Sequence, residues 1–378
     1  MAIERNDINF LNDIQIKTES NRRFFQDIRS IIFFTKDFAI EPTFITKPQD
    51  VLNLAISGLN ENHEFYKLIQ SAFSQAFLPV VTVVYGNNVA DSFAKLMETY
   101  KNHEKAFEVT NWITNIDAKA NKTYIESIVA YAKTDKEIQV GIALDIEKLT
   151  VTEAIKYQTS ANAENVMFIA EGGKNTKAGN WLTGAIFGGY IGTKSLGSYI
   201  VHSAEIRGFE QEAYTPSEQK AMKDAGLNFL SKPTKGYFHV VNGLNSDNKT
   251  FTELNLIRIW LKDRIQKDIT IMQITNDKIP NDDNGRAMVD AVIREVCRIG
   301  ANAGMFMTAA GDYFGTITEK DKNGNTVKIQ LGYLKVETVT QESLREGLFD
   351  FDLMLTYLNG ARKVTLRGTI TTEGKLVY

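Results

Sequence analysis

Four histidines and one cysteine are the residues of this sequence best suited to chemistry. His63, His103, His202 and His239 lie far apart along the chain and match no metal-ligand spacing. Cys297 falls on an apolar helical stripe, where a cysteine is more often a core residue than a nucleophile. No Gly-x-Ser-x-Gly elbow surrounds any serine. The sequence therefore predicts no catalytic residues, no metal ligands and no cofactor.

An acidic stretch before Gly285 is similar to a calcium-binding loop at first sight. If Gly285 took the sixth position of such a loop, Pro280 would be the first ligand and Ala291 the twelfth, and neither can ligate calcium. The better interpretation is that Asp282 or Asp283 caps a helix over residues 286–299, where a carboxylate favours the positive helix end.

Glycines cluster in the middle of the chain without the spacing of a nucleotide-binding loop. No Gly-x-Gly-x-x-Gly follows a strand there, so a dinucleotide site is unsupported. Close helix packing or a turn is the expected role of these glycines. They are Gly184, Gly188, Gly189, Gly192 and Gly197.

The elements that would position any site alternate between strand and helix over the first half of the chain. Short apolar runs bounded by turn residues predict buried strands, and apolar residues at helical spacing predict amphipathic helices. This alternation favours an α/β layer with a mainly parallel sheet. The predicted strands cover residues 30–34, 80–85, 138–145 and 166–170, and the predicted helices cover 65–77, 90–101, 117–133 and 151–162.

The second half is mixed, with helices first and strands last. Thr215 and Glu218 form a capping-box pattern at a helix start, and Gly226 ends that helix. A strand is expected over 237–241 and helices over 254–267 and 286–299. Asn323-Gly324 predicts a hairpin between strands 313–319 and 327–337.

Both ends of the chain read as strands without local partners. Ile14 and Ile16 lie on one side of an extended stretch, and residues 363–370 alternate between apolar and polar side chains. Unpaired terminal strands can add to the sheet of another subunit. The alternative is that both ends pair within their own chain and give an ordinary closed domain.

Composition excludes several classes of protein. The 378 residues are 43% hydrophobic and 24% charged, which is ordinary for a folded protein and unlike a disordered chain. The net charge of −3 argues against nucleic-acid binding through bulk charge, and no apolar run reaches the length of a membrane span. A single cysteine suits a reducing compartment. Besides an assembly protein, a soluble α/β enzyme whose site is assembled only in three dimensions stays open.

A series of weak motifs, taken in order, resembles the contractile phage tail sheath family, including sheath-like proteins of phage tail-like particles. The segment FYKLIQSAFSQAFLPVVTVVYG is similar to the early helix and strand of the family, and Ile279-Pro280 through Gly285 to its "IP.tD.G" helix start. Arg258, Trp260 and Leu261 fit its "r...WL" helix. Further matches are the glycine-rich stretch 184–209, TPSEQKAMKDAGLN, GYFHVVNGLNSDNKTF and the closing GARKVTLRG.

This resemblance implies an organisation into four parts. They are an N-terminal arm (1–22), an α/β outer domain (23–235) with a mainly parallel sheet, a mixed α+β inner domain that faces the tail tube (236–362) and a C-terminal β arm (363–378). The terminal arms would exchange strands with neighbouring subunits. The residues expected in that exchange are Ile14, Ile16, Val364, Leu366, Ile370 and Leu376.

The resemblance also implies partners and a place of action. The chain would polymerise with itself as stacked six-subunit rings around a tail tube protein, between baseplate and tail terminator proteins, with no direct contact to nucleic acid or membrane. It would be assembled in the host cytoplasm and act in the virion, where contraction drives the tube and genome ejection. Arg258, Lys262 and Arg264 are a candidate contact to an acidic tube, and a solvated helix face is the alternative.

Overall fold

A computed structural model describes two compact units of the chain. The first, here the α/β unit, takes its described residues from within 26–195 and 199–256, and the second, the C-terminal unit, from Ile257 onwards together with Leu196 and Gly197. The described residues are 30–75, 81–89, 92–104, 106, 109–191, 196–197, 199–202, 204–210, 212–234, 237–276, 279–280, 282–309, 311–320, 324–336, 349–357 and 362–370.

A six-stranded sheet is the centre of the α/β unit. Its spatial order is β2-β3-β1-β4-β5-β6, with β2 antiparallel to β3 and all other neighbours parallel. Nearly every residue of the parallel strands is buried, which explains their continuous apolar sequences. The strands are β1 (Ile31–Thr35), β2 (Ile40–Phe44), β3 (Thr82–Gly86), β4 (Asn111–Thr114), β5 (Gln139–Asp145) and β6 (Val166–Glu171).

Helices cover this sheet and contribute an aromatic core. Trp112 of β4 has its ring centroid 5.8 Å from Phe34, 5.8 Å from Phe93 and 4.9 Å from Tyr100, all in edge-on contacts that aromatic pairs prefer. The helices are α1 (Gln49–Leu52), α2 (Glu64–Phe73), α3 (Phe93–Asn102), α4 (Lys122–Thr134), α5 (Val151–Ala161), α6 (Gly173–Lys177), α7 (Leu182–Gly184), a π-helix (Ala185–Ile191) and α8 (Pro216–Asp224).

The hairpin of β7 (Phe229–Thr234) and β8 (Tyr237–Val241) is tied to the edge of the parallel sheet by buried amides. The Asn228 amide nitrogen donates to the carbonyls of Phe168 and Leu244, each at 2.8 Å. Gln139 donates to Asn245 Oδ1 at 3.0 Å. These bonds keep residues after 235 within the α/β unit, and the compact units divide after Leu256.

The C-terminal unit combines two long helices with an antiparallel sheet. Helix α9 (Thr252–Thr275) crosses the division between the units, and α10 (Asp283–Asn302) follows it. The sheet has the order β12-β11-β10-β9. Its strands are β9 (Gly315–Lys320), β10 (Thr326–Val336), β11 (Phe349–Tyr357) and β12 (Arg362–Ile370). None of the described helices is both long and apolar enough to cross a lipid bilayer.

The predicted fold class, an α/β layer with a mainly parallel sheet plus a mixed α+β part, is confirmed. The predicted helix caps are confirmed as well, since Thr215 and Glu218 form a complete capping box and Asp282 accepts hydrogen bonds from the amides of Asn284 and Gly285. The predicted role of Gly184 and Gly188 in close packing is also confirmed, because a Cβ there would lie 2.3 Å from Leu68 O and 2.2 Å from Ala72 Cβ, respectively.

Candidate assembly site

The C-terminal strand is the first part of the predicted assembly site that the structure describes. Residues Arg362–Ile370 pair antiparallel with β11, with Val364 opposite Leu355, Leu366 opposite Leu353 and Ile370 opposite Phe349. The expectation that this strand has no local partner is therefore wrong. It overlooked β11, which supplies a full-length partner within the chain. Ile14, Ile16, Leu376 and the whole N-terminal arm lie outside the described residues.

The antiparallel sheet has two outer strands that can accept another strand. Within the described part of the chain, β12 and β9 each pair with one neighbour only, so the other side of each strand presents backbone donors and acceptors. Unpaired strand edges of this kind are templates for strand addition from another copy.

The hairpin of β9 and β10 extends beyond the rest of the sheet. Among the residues that the structure describes, β10 pairs with β11 only from Gly332 to Val336, whereas Thr326 to Gln330 pair with β9 alone. Most side chains of this extension are exposed, including Val327 at 37%, whereas Leu331 is buried. A two-stranded ribbon is marginally stable in water by itself. The extension is therefore a surface that gains stability from a third strand.

The predicted tube-contact cations lie on α9 but do not form one cluster. Arg258 and Lys262 are one helical turn apart and share a face, whereas Arg264, two residues further on, points elsewhere around the helix. Arg264 Nε donates to Asp268 Oδ2 at 2.9 Å. All three side chains are half-buried.

Two exposed isoleucines near the end of α9 were not identified from the sequence. Ile271 is 44% exposed and Ile274 is 65% exposed, and their three-residue spacing brings them to one helix face. The helix predicted from the sequence ends at residue 267 and includes neither residue. The buried side chains of Ile265, Ile269 and Met272 lie on the opposite face of α9, so Ile271 and Ile274 are turned to solvent.

The residues best suited to chemistry have structural partners. His63 Nδ1 accepts the amide hydrogen of Phe65 and so caps α2, and the rings of His202 and His239 lie 6.4 Å apart. Cys297 is fully buried, and burial raises its pKa to about 12. No group of three or more His, Cys, Asp or Glu side chains in the described ranges is arranged to hold a metal ion.

Comparison with known proteins finds a family match for part of the chain. Residues 253–349, which hold most of α9 and all of α10, β9 and β10, match the family model described as E217 tail sheath protein gp31-like, C-terminal domain. The sequence-based resemblance to contractile tail sheath proteins is confirmed. No curated protein matches the chain in a sequence search.

Solved structures extend the similarity from this segment to the whole fold. A chain of the anti-feeding prophage baseplate has a TM-score of 0.62 at 11% identity and covers 92% of this chain and 98% of its own. The contracted helical sheath of the anti-feeding prophage has a TM-score of 0.60 at 10% identity, and the match covers 92% of this chain and 96% of the sheath chain. The contracted sheath complex of PVC, an extracellular contractile injection system, has a TM-score of 0.58 at 13% identity, and the match covers 89% of this chain and 90% of the PVC chain. This chain has the fold of contractile sheath proteins.

Proposed function

We propose that the chain is a structural subunit of a contractile sheath, in a phage tail or a phage tail-like particle. The observation that carries this proposal is the tail-sheath family match over residues 253–349, within a fold that follows the chains of two contracted sheaths over about nine-tenths of its length. The same similarity favours a structural role over an enzymatic one.

Copies of the chain assemble, in this proposal, as stacked six-subunit rings around a tail tube, with baseplate and tail terminator proteins at the ends. Contacts between unlike surfaces of successive subunits generate a helix rather than a closed dimer. The subunits are made and assembled in the host cytoplasm and act as part of the particle.

Strand exchange joins the subunits. In the exchange, β12 leaves its own β11 and pairs with the β11 of another copy in the same register. The backbone hydrogen bonds lost within the chain are replaced by equivalent bonds between chains, each with a net contribution of about 0.5–1.5 kcal/mol. The exchange therefore costs little, and each chain spans two neighbours that are held together by hydrogen bonds between strands.

Contraction follows from two packings of the same fold. The extended sheath is held by a kinetic barrier, and a signal from the baseplate allows the subunits to repack into a state of lower free energy. Energy stored in this way needs no nucleotide, which agrees with a sequence that has no phosphate-binding loop. The joined β-strands keep the rings together while the sheath shortens and drives the tube.

Polymerisation of the purified chain tests this function. We expect hollow tubes in negative-stain electron micrographs as the protein concentration rises. Removal of residues 363–378 deletes most of β12 and should leave folded particles of monomer size that form no tubes at any concentration. A full-length chain that stays monomeric throughout, or a truncated chain that still forms tubes, would contradict the proposal.

A further inference from the structure

Strand β8 has a neighbour on the edge that does not pair with β7. The Val240 amide donates to the carbonyl oxygen of Ala204 at 3.1 Å, and Glu205 forms an antiparallel bridge with His239. Because the two stretches run antiparallel, His202, two residues before Ala204, lies beside the residues that follow β8.

His202 binds the turn that follows β8. Its Nδ1 atom accepts the backbone amide hydrogen of Asn242, with 3.2 Å between the two nitrogens. Asn242 and Gly243 both have left-handed backbones, with φ of 76° and 67°, a conformation that a residue with a side chain adopts only at a cost. A Cβ at Gly243 would lie 2.6 Å from the His202 backbone nitrogen, so glycine permits the close approach. The His202 side chain thus holds a turn whose backbone conformation is unfavourable for Asn242.

Protonation removes this contact, because the two charge states of imidazole differ in hydrogen-bonding capacity. A neutral ring accepts a hydrogen bond at its unprotonated nitrogen, whereas both nitrogens of the charged ring are donors. The amide of Asn242 would then face another N–H group and lose its acceptor. The ring of His239 lies 6.4 Å from that of His202, so charges on both rings would also repel each other. Acid therefore acts against the contact in two ways.

The surroundings of the two rings disfavour their charge as well. Partial burial lowers the pKa of His202, and the positive charge of Lys223 on α8 lowers it further. Burial also lowers the pKa of His239, and a charge on His202 adds to this effect. On β7, the residue opposite His239 is the uncharged Ser231. Burial and positive charge thus act in the same direction as the hydrogen bond from Asn242.

Two carboxylates near the pair act in the opposite direction. Glu253 Oε2 accepts the backbone amide hydrogen of Val201, the residue before His202, at 3.5 Å. Glu205, the bridge partner of His239, is exposed to solvent, which weakens its attraction for a charged ring. The pKa of both imidazoles nevertheless lies below the ordinary value, so burial outweighs these carboxylates.

We propose that His202 is an acid-sensitive latch, whose neutral ring holds the turn after β8 and whose protonation releases it. When the turn opens, the ring reaches water, where its pKa is near the ordinary value of 6.5. Opening below that pH therefore takes up a proton. Linkage then requires the opening equilibrium constant to rise as the pH falls below about 6.5, by up to about tenfold per pH unit for each proton bound. This inference concerns the α/β unit alone and does not depend on sheath assembly.

Hydrogen exchange of the full chain measures the opening of this turn. Peptides that cover residues 240–246 are followed by mass spectrometry at several pH values, with correction for the intrinsic pH dependence of amide exchange. We expect their opening constant to rise as the pH falls below about 6.5, while peptides from α5 show no such rise. A flat profile at residues 240–246 overturns the proposal, and an equal rise in α5 contradicts a local latch.

Two substitutions at His202 separate the acceptor from the titration. His202→Asn places an amide oxygen where Nδ1 lies and does not titrate, so the turn should stay closed with no slope against pH. His202→Leu has no acceptor, so the turn should open equally readily at every pH. His103→Asn makes the matched change at a histidine that pairs with Glu41 at 3.6 Å, and it should keep the original slope. A His202→Asn protein with the original slope contradicts the latch.

Lys223→Gln tests the same group without altering the turn, in case the variants of His202 fail to fold. Lys223 is exposed on α8, and removal of its charge should raise the pKa of His202 toward the ordinary value. The pKa then differs less between the closed and open states, so the total rise in the opening constant at acidic pH should be smaller. Lys220→Gln, on the same helix, is the control and should leave the rise unchanged. An unchanged rise in Lys223→Gln would exclude His202 as the titrating group.

Discussion

At the scale of single residues, two glycines let the segment formed by α7 and the π-helix, Leu182–Ile191, approach α2 more closely than residues with a side chain would. A Cβ at Gly184 would meet the backbone oxygen of Leu68, and a Cβ at Gly188 would meet the Cβ of Ala72. Backbone and Cβ atoms cannot move aside as a flexible side-chain end can. The contact is thus set by the absence of side chains at these two positions.

Gly188→Ala should destabilise the α/β unit because its methyl group would lie 2.2 Å from Ala72 Cβ. We expect a loss of about 1–3 kcal/mol, as is usual when extra methyl groups enter a packed core. Urea unfolding followed by tryptophan fluorescence measures the loss. Adding Ala72→Gly to this variant removes the opposing methyl and should recover part of the stability; full additivity of the two losses would contradict the contact.

Residue-scale predictions from the sequence were accurate where the physics is local. The Thr215 capping box and the Asp282 cap involve residues within three positions of each other. The burial of Cys297 follows from the apolar helical stripe on which it lies. His202 differs, because its partner Asn242 is brought to it by the fold. In the sequence it is only one of four widely separated histidines.

At the scale of elements, the sequence identified those with strong periodicity or continuous apolar runs. Strands β1, β3, β5 and β6 follow this rule. Four strands were not predicted, namely β2, β4, β7 and β11. β2 contains Pro42, a residue that an edge strand tolerates but that counts against a strand when only the sequence is known. β4 has only four residues, too few for a clear pattern.

Strand β11 is the omission with the largest consequence. Its sequence FDFDLMLTY begins with an alternation of aromatic and acidic residues that indicates a strand. Because β11 was not predicted from the sequence, the C-terminal strand had no expected partner in its own chain. The structure supplies that partner, so the question of strand exchange is whether β12 pairs with its own β11 or with the β11 of another copy.

Cysteine pairs placed in the observed register distinguish these two cases. Asp350 and Thr369 are Cα partners across β11 and β12, and such partners lie within disulfide reach. One chain with Asp350→Cys is mixed with another chain with Thr369→Cys under conditions of assembly. Exchange predicts a disulfide-linked dimer of the two chains. The buried Cys297, with a pKa of about 12, should not interfere.

A register control makes this result specific. Thr365 pairs with Met354, four residues away from Asp350 along β11, or about 13 Å at the usual strand rise. Asp350→Cys mixed with Thr365→Cys should therefore give no dimer. If β12 stays on its own β11, only a single chain with both Asp350→Cys and Thr369→Cys becomes cross-linked, and it remains a monomer.

At the scale of the whole molecule, a net charge of −3 leaves little long-range attraction to any partner. Binding to an acidic tube would have to come from a local group of cations. Arg258 and Lys262 share one face of α9, in the segment that matches the tail-sheath family model. Ile271 and Ile274 offer an apolar alternative on the same helix.

Reversal of charge at Arg258 and Lys262 separates the electrostatic contact from the apolar one. If cations hold the tube, Arg258→Glu with Lys262→Glu should reduce the fraction of tubes that carry sheath in electron micrographs of purified particles. Raising the salt concentration should weaken the unaltered contact, because exposed charges are screened. Lys122→Glu, at a lysine with 72% side-chain exposure in the α/β unit, is the control for surface charge and should have no effect. If the charge-reversed protein, the Lys122→Glu control and the unaltered protein carry equal amounts of sheath, the cationic contact is rejected. Loss of sheath in the double variant Ile271→Ser with Ile274→Ser would then assign the contact to the apolar face, because serine at these positions removes apolar surface without changing the charge.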